Sequence, residues 1–236
     1  MDYPGVRAFS EGLALAYMNG KWGYIDKAGK FVIPPTYDFA ESFSDGLAAV
    51  GVAGHPPTSG YIDHSGQAVI ALHYYQAATF HEGVAVVIEP ELIGKWYGSS
   101  VIDRTGRRLY GPVAQAINEF HEGVASISSL DGGTLGFIDP HGNQVLKTTF
   151  AGDATYFSEG LAGVSAAGGK SGGYINKAGN LMIQGNFSMT CPFSNGLAFV
   201  HTEQWAGYID TAGKFVWKTP LASLGDSQIE RCPDYY

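Results

Sequence analysis

A short pattern that recurs six times constrains the fold of this 236-residue chain more than any other feature. Its form is Phe-x-(Glu/Asp/Asn)-Gly-(Leu/Val)-Ala, and its glycines are Gly12, Gly46, Gly83, Gly123, Gly160 and Gly196. Self-similarity with a period of roughly 20–50 residues is typical of repeat proteins. The sequence therefore predicts one domain, residues 1–220, built from six units at about 3–36, 37–73, 74–113, 114–150, 151–186 and 187–220, with residues 221–236 as a C-terminal tail.

A second element of each unit predicts a β-hairpin. An apolar pair ending in Ile precedes Asp/Asn-x-x-Gly, as in Tyr24-Ile25-Asp26-Lys27-Ala28-Gly29. Aspartate at the first position of a turn and glycine at the fourth are typical of a type I turn, because the carboxylate accepts hydrogen bonds from turn amides. A row of catalytic or calcium-binding aspartates is the less favoured alternative, because every aspartate has its turn glycine at the same offset.

The strands around this turn predict how the units pack. Adjacent apolar residues such as Tyr24-Ile25 and Val32-Ile33 place apolar side chains on both faces of a strand, so both faces should be covered by neighbouring units. The last position of the pattern is alanine in all six units, and a residue that is always small indicates crowding there. These alanines are Ala14, Ala48, Ala85, Ala125, Ala162 and Ala198. The phenylalanines of the pattern are expected in the core, at Phe9, Phe43, Phe80, Phe120, Phe157 and Phe193.

Composition excludes several classes of protein. Hydrophobic residues make up 45% of the chain and charged residues 15%, so the chain can fill a core and is not disordered. No run of about 20 apolar residues predicts a transmembrane helix. The net charge of −8 suits neither nucleic acid nor an anionic membrane, because both require clustered Lys and Arg. We therefore expect neither as a partner.

No motif predicts catalysis, so we expect a protein that is not an enzyme and has no cofactor. Neither the complete Gly-x-x-x-x-Gly-Lys-Ser/Thr phosphate loop nor the His-Glu-x-x-His motif is present. His81-Glu82 and His121-Glu122 fall where other units have serine, which favours a solvated turn over a metal site shared by two units. The acids of the pattern are expected to accept hydrogen bonds in their own turns, or to line a ring as a negative rim (Glu11, Asp45, Glu82, Glu122 and Glu159, with Asn195 in the sixth unit).

The two cysteines and the N-terminus bear on the cellular setting. Cys191 and Cys232 are too few for a disulfide scaffold and lack the spacing of a metal site, and the sequence leaves open whether they pair. Residues 1–4 do not begin a basic segment followed by an apolar one, as a secretory signal would. The cytoplasm is therefore the expected location.

The first unit also resembles a known family. Phe9-Ser10-Glu11-Gly12-Leu13-Ala14, Gly20-Lys21-Trp22-Gly23-Tyr24-Ile25-Asp26-Lys27 and the following residues 29–38 are similar to the WG (KWG) repeat, a mostly bacterial β-rich repeat. The resemblance covers residues 3–218, and later units drift from the consensus. It implies a binding module without a shared active site.

Two all-β architectures fit units of this length. The favoured one is a six-bladed β-propeller-like ring of short antiparallel sheets, in which the segment from Tyr37 to Phe43 supplies a fourth strand. Closure of a ring explains the uniform alanine and the absence of an obvious polar cap on the end units. The alternative is an open β-solenoid of stacked hairpins.

Departures from the repeat indicate where a partner binds. The third unit has the longest insertion, residues 88–99, and the second unit has residues 51–59. Insertions in repeat proteins often map to loops of the binding face, and Trp and Tyr dominate interface hot spots. We predict partner contacts by Trp96, Tyr97 and Glu91, with lesser candidates Trp22, Trp205 and His55. The alternative for Trp96 is that it occupies the usual tryptophan position of the repeat.

The sequence thus predicts a monomeric, non-enzymatic protein–protein interaction module. A lectin-like function is the first alternative, with carbohydrate stacked in pockets that recur from unit to unit. The second alternative is an acidic, immunity-type antagonist of a toxin or an enzyme. The identity of the partner is not encoded in any motif.

Overall fold

The computed structural model describes residues 5–54, 57–94, 96–129, 134–147, 154–165, 172–221 and 232. None of these residues lies in an α-helix, and they contain no helix long and apolar enough to span a membrane. The fold consists of six small antiparallel sheets. They group into two compact units, residues 1–119 with 140–142 and residues 120–139 with 143–236.

The first compact unit contains three sheets, whose strands follow one another along the chain. The first sheet has the order β1 (Ala14–Met18), β2 (Lys21–Ile25), β3 (Phe31–Tyr37). The second has the order β4 (Phe39–Ala40), β5 (Ala48–Val52), β6 (Thr58–Ile62), β7 (Ala68–Tyr74). The third contains β8 (Gln76–Ala77), β9 (Val84–Ile93), β10 (Trp96–Asp103) and β11 (Arg108–Val113), and β12 (Gln115–Ile117) follows it.

The second compact unit repeats this arrangement. Its first sheet contains β13 (Ala125–Ser129), β14 (Thr134–Ile138) and β15 (Gln144–Lys147). The next contains β16 (Leu161–Ser165), β17 (Gly172–Asn176) and β18 (Leu181–Gln184). The last has the order β19 (Met189–Thr190), β20 (Leu197–His201), β21 (Trp205–Asp210), β22 (Phe215–Pro220).

Short strands lead the chain from one sheet into the next. β3 ends at Tyr37, and β4 then pairs with β5 of the second sheet, so the segment after Tyr37 supplies a fourth strand as predicted. β8 and β19 have the same role in the third and sixth sheets. In the first sheet a single bridge between Val6 and Ala16 stands at the equivalent place.

The predicted aspartate turns are present in the structure. One carboxylate oxygen of Asp26 accepts hydrogen bonds from the amides of Ala28 and Lys30, both at 2.9 Å. At Asp103 the hydroxyl of Thr105 also donates to the carboxylate, which lowers the pKa of Asp103 to about 2. Local hydrogen bonding therefore explains these residues without a metal or a substrate.

Tyrosine and phenylalanine join neighbouring sheets. The hydroxyl of Tyr24 donates to the carbonyl oxygen of Glu41 at 2.8 Å, and its ring lies 4.9 Å from that of Phe43 in the next repeat. Tyr61 and Phe80 repeat this contact one sheet later, with ring centroids 4.6 Å apart. Burial raises the pKa of both tyrosines far above the usual range, so each remains a neutral hydrogen-bond donor.

The structure corrects two expectations about the core. Phe9 is 48% exposed, whereas the other five phenylalanines of the pattern are buried, among them Phe43, which packs on the ring of Tyr24 in the preceding repeat. The first residue of the apolar pair after each turn is 44–61% exposed at Val32, Val69, Val145, Met182 and Val216. These residues lie on edge strands, so the expectation that both faces are covered holds for the central strands and fails at the edge.

The acids of the repeat do not serve their own turns, contrary to the prediction. Glu11 accepts hydrogen bonds from the amide of Gly46 in the next repeat, at 3.1 and 3.2 Å, and Asp45 accepts one from Gly83 at 2.7 Å. The physical reason is the backbone, since φ is 49° at Glu11 and 53° at Asp45. This left-handed conformation directs the carboxylate away from its own turn, so it links one sheet to the next. Glu122 and Glu159 make the same link in the second compact unit.

A disulfide joins Cys191 to Cys232, with Cα atoms 5.6 Å apart. Cys191 is fully buried beside β19, so the bond attaches the described tail residue to the last sheet. The sequence left this pairing open. Disulfides persist mainly in oxidising compartments. The pairing therefore does not favour the cytoplasmic location, which stays a prediction.

Candidate functional site

In the first repeat, an aromatic pair lies across the neighbouring strands β1 and β2, on the face of the sheet that is turned toward the second sheet. Tyr17 on β1 is paired with Trp22 on β2, and their ring centroids are 4.9 Å apart. The guanidinium carbon of Arg7 lies 5.5 Å from the centre of the indole, and the indole edge lies against Gly5. Trp22 is half-buried and packs against the core between the first two sheets, and its predicted partner contact stays a prediction.

In the second repeat, the same two positions carry small residues. Gly51 on β5 is paired with Ser59 on β6, in the register that joins Tyr17 to Trp22 in the first repeat. The neighbouring tyrosines confirm the alignment, because Tyr61 follows Ser59 at the same distance as Tyr24 follows Trp22. Both aromatic side chains of the first repeat are therefore missing at this place in the second.

A cavity of about 290 Å³ opens at this place, between the second and third sheets. Its lining includes Phe39 from β4, Ser59 from β6 and Tyr75, which immediately precedes β8. Phe39 lies beside Gly51 and is 57% exposed. Glu41 also lines the cavity, and its carboxylate is paired with Arg7 at 2.7 Å. The result is a small cavity with aromatic walls and a polar rim.

The strand that carries Phe39 is fixed at its start by Asp38. The ammonium of Lys21 donates to the Asp38 carboxylate at 2.6 Å, and the amide of Ala53 donates at 2.8 Å. The hydrogen bond from Lys21 is the main reason that the pKa of Asp38 is lowered. These bonds hold β4 beside the chain that follows β5, and so position the cavity wall.

An extended hairpin lies next to the cavity. β9 and β10 have 10 and 8 residues, compared with 5 each for β1 and β2. The side chain of Tyr97 on β10 stacks on Tyr75, with centroids 4.3 Å apart and planes inclined by 16°. Opposite Tyr97 stands Leu92, and these two side chains are 39% and 58% exposed. Because Tyr75 also lines the cavity, we define Phe39, Ser59, Tyr75, Leu92 and Tyr97 as one surface, the cavity–hairpin surface.

The base of this hairpin is held by an ion pair that is buried on its glutamate side and half-exposed on its arginine side. Glu89 on β9 is 4% exposed, and its carboxylate accepts a hydrogen bond from the guanidinium of Arg108 on β11 at 2.7 Å. Glu91, two residues further on, is exposed. Of the predicted partner contacts, Glu91 and Tyr97 therefore occur together on one exposed hairpin.

Trp96 does not occupy the tryptophan position of the repeat, so that alternative is wrong. The residue that matches Trp22 in register is Ser99, which pairs with Ile88 and Val113. The backbone of Trp96 pairs with Ile93 near the end of the hairpin, because the third repeat has extra residues there. The side chain of Trp96 is outside the described part of the structure.

The remaining predicted residues contribute little to this surface. His55 falls outside the described residues. Trp205 belongs to the second compact unit, where it starts β21, and the ammonium of Lys218 lies 4.4 Å from its ring centre. That cation–π contact stabilises the half-buried Trp205 within the chain, and its predicted partner contact stays a prediction.

The described residues contain no group of three or more His, Cys, Asp or Glu side chains that could hold a metal ion. The other repeats have serine at the position of His81 and His121. Two of these serines link neighbouring sheets by hydrogen bonds. The hydroxyl of Ser10 donates to the carbonyl of Phe43 at 2.6 Å, and Ser158 donates to Phe193 at 2.7 Å. The position is thus a connection between repeats rather than the solvated turn that was expected.

Comparison with known families matches this repeat pattern to one model. The model of the WG-containing repeat fits residues 1–22, 22–54, 60–89, 136–170 and 173–201. The chain belongs to the WG repeat family. The resemblance of the first unit to the WG repeat is thereby confirmed, and it extends over most of the chain. No curated protein matches this WG-repeat chain.

Solved structures define the fold class of this WG-repeat chain. Kluyveromyces lactis Hsv2 with loop 6CD replaced by a Gly-Ser linker has a TM-score of 0.60 at 10% identity, covering 95% of this chain and 83% of that chain. Kluyveromyces marxianus Hsv2 has a TM-score of 0.56 at 11% identity, covering 99% and 79%. These neighbours are β-propellers, and identity this low concerns the fold alone. The prediction of a β-propeller-like fold of short antiparallel sheets is confirmed.

Sequence reasoning missed three residues of the cavity–hairpin surface. Phe39 and Tyr75 lie in the connections between WG repeats, which were assigned only a structural role. Ser59 was visible as a departure, since Thr58-Ser59-Gly60 replaces Lys21-Trp22-Gly23 of the first repeat. Following the tryptophan position through all six repeats would have identified the second repeat as one of those where the motif loses its indole beside an intact glycine, together with the fourth, fifth and sixth.

Proposed function

We propose that this WG-repeat chain is a non-enzymatic interaction module that binds another protein through the cavity–hairpin surface. The observation that carries the proposal is the cluster of exposed apolar side chains around the cavity, Phe39, Leu92 and Tyr97. Contiguous exposed apolar surface with a polar rim is typical of protein-binding sites, and large aromatic side chains supply much of the binding energy there.

The position of the surface supports this proposal. Leu92 and Tyr97 lie on a hairpin that is longer than its counterpart in the first repeat, and the stack on Tyr75 orders it. An ordered hairpin loses little conformational entropy on binding. The net charge of −8 and the exposed Glu91 favour a partner with basic residues around an apolar centre over nucleic acid or an anionic membrane. We propose that the module acts as a monomer without a cofactor.

The lectin-like alternative requires several equivalent pockets, whereas the residue at the tryptophan position differs from repeat to repeat. Its occupants are Trp22, Ser59, Ser99, Gly172 and Ala206 in five of the repeats. Side chains of such different size and chemistry favour one specialised site over a repeated one. The antagonist alternative shares the same surface and differs only in the partner, a basic toxin or enzyme.

A comparative affinity capture tests the proposal. The baits are the unaltered chain, the double variant Leu92→Asp with Tyr97→Ala, and Val32→Asp as a matched control on an exposed edge strand. We expect one or more proteins to bind the unaltered chain and the control, and to be lost from the double variant. Capture that weakens steeply with salt would point to the basic partner of an antagonist. Undiminished capture by the folded double variant rejects the proposed surface.

A further inference from the structure

We propose that the cavity beside Ser59 binds one indole ring, supplied by a tryptophan side chain of the protein partner. The inference deepens the proposed function, because it assigns the chemistry of the residue that the cavity takes. Only the assumption that the indole belongs to a protein partner rests on the proposed function. The affinity of the cavity for indole can be measured without any partner.

The first step of the argument is that the fold itself provides a template. In the first repeat the indole of Trp22 occupies the same register position, packed against Gly5 and covered by Arg7. In the second repeat Ser59 replaces that indole, and Gly51 replaces the tyrosine beside it. The surrounding sheet geometry is preserved, since the Tyr61–Phe80 contact repeats the Tyr24–Phe43 contact. The cavity therefore lies where this fold accommodates an indole.

The second step concerns the walls of the cavity. Phe39 beside the second sheet corresponds in register to Gly5 beside the first, and Tyr75 beside the third sheet corresponds to Asp38 beside the second. Two aromatic side chains therefore border the cavity. Aromatic rings pack favourably on one another in offset or edge-to-face arrangements. A planar aromatic ligand thus gains contacts on this surface that the first repeat does not offer.

The third step concerns size and polarity. At about 290 Å³ the cavity is at the lower end of ligand pockets, so it suits one ring system rather than an extended chain. Ser59, Gln76 and Glu41 are among the lining residues, and their side chains carry oxygen atoms of the kind that accepts a hydrogen bond from an indole N–H. Tryptophan combines a large apolar ring with one polar group, and it is the residue most enriched in interface hot spots together with Tyr and Arg.

The first experiment uses N-acetyl-L-tryptophanamide as the probe, titrated into the full chain and followed by two-dimensional NMR. We expect saturable shifts at one site around Ser59, with a dissociation constant of roughly 0.1–1 mM. N-acetyl-L-leucinamide should bind at least tenfold more weakly. The absence of saturable shifts with the tryptophan probe, or equal binding of both probes, overturns the proposal.

Two filling variants and one opening variant sharpen the result. Ser59→Trp restores the residue of the first repeat and should weaken probe binding at least tenfold. Ala49→Leu, which restores the Leu15 found at that register in the first repeat, serves as a second filler if the first variant does not fold. Trp22→Ala should raise the number of probe sites from one to two, because engineered cavities of this kind bind aromatic molecules. Unchanged affinity in a folded filling variant refutes the assigned site.

The source of the ring is decided by partner capture. If the side chain of a partner fills the cavity, Ser59→Trp should abolish capture of the proteins that the unaltered chain retains. Loss of probe binding with unchanged capture would contradict a partner's tryptophan as the ligand. The outcome for the proposed function is read separately, from the Leu92 and Tyr97 double variant, so the two ideas fail independently.

Discussion

The first and second repeats share one framework and differ at one pair of residues. In both, a central tyrosine contacts the phenylalanine of the next repeat, and a glycine precedes that tyrosine. Between the strands the first repeat has Tyr17 and Trp22, whereas the second has Gly51 and Ser59. The framework therefore does not depend on the tryptophan. Residues at this position differ between the two repeats, and a cavity is present in the second, while the framework is unchanged.

The largest expected effect tests whether the framework is the same in both repeats. A methyl group on Gly23 or Gly60 would lie 2.6 Å from a carbonyl oxygen of the adjacent strand, that of Ile33 or Ile70. Backbone cannot move aside cheaply, so Gly23→Ala and Gly60→Ala should each lower the free energy of unfolding by about 3 kcal/mol. Urea denaturation measures both values.

Gly12→Ala is the control for this pair. Gly12 has a positive φ of 89° but open space around it, so alanine there should cost only about 1 kcal/mol of backbone strain. A Gly60→Ala variant as stable as the control, beside a destabilised Gly23→Ala, would show that the two repeats do not share this packing.

The next effect separates the two repeats. Trp22→Ala removes a half-buried indole and its contact with Tyr17, and should cost about 2 kcal/mol. Ser59→Ala removes one hydroxyl beside an existing cavity and should change stability by less than about 0.5 kcal/mol. Equal losses in the two variants, measured by urea denaturation, would contradict the assignment of Ser59 to an empty tryptophan position.

A smaller effect concerns the link from one repeat to the next. Asp45 combines a left-handed backbone with a hydrogen bond to the amide of Gly83, so Asp45→Ala loses both advantages and should cost about 1–2 kcal/mol. Asp45→Asn should be nearly neutral, because asparagine tolerates this conformation and keeps an acceptor oxygen, and Asn195 has the same backbone in the sixth repeat. If thermal unfolding shows Asp45→Asn to be as harmful as Asp45→Ala, the carboxylate charge itself is required.

Local signals in the sequence predicted the framework well. The turn aspartates need only their own neighbours, and the tyrosine and phenylalanine positions recur at the period of the repeat. The inter-repeat link was missed because the position of the Glu11 carboxylate depends on a left-handed φ that residue identity alone does not specify. The exposed edge valines were missed because adjacent apolar residues do not reveal whether a further strand covers them.

The third repeat shows why the site was only partly predictable. Ser100 stands where the first repeat has Gly23, and the glycine has moved across the strand pair to Gly111, where a methyl group would lie 2.9 Å from the Cα of Ser100. The same crowded contact is thus satisfied by a different residue on another strand. Tyr97 could be predicted as a departure from the repeat, but its partner Tyr75 could not, because their contact depends on the register of the extended hairpin.

The smallest expected effect concerns Arg7 and Glu41. Arg7 covers the indole of Trp22 in the first repeat, and Glu41 lines the cavity in the second. Arg7 and Glu41 are equivalent in register and pair with each other, both about half exposed. A double-mutant cycle of Arg7→Ala and Glu41→Ala should give a coupling of less than about 1 kcal/mol that decreases with salt. Arg7 also contacts the indole of Trp22, so the single Arg7→Ala variant should lose slightly more stability than the coupling alone. In a Trp22→Ala background this excess should disappear, and its persistence would mean that Arg7 stabilises the fold without covering the indole.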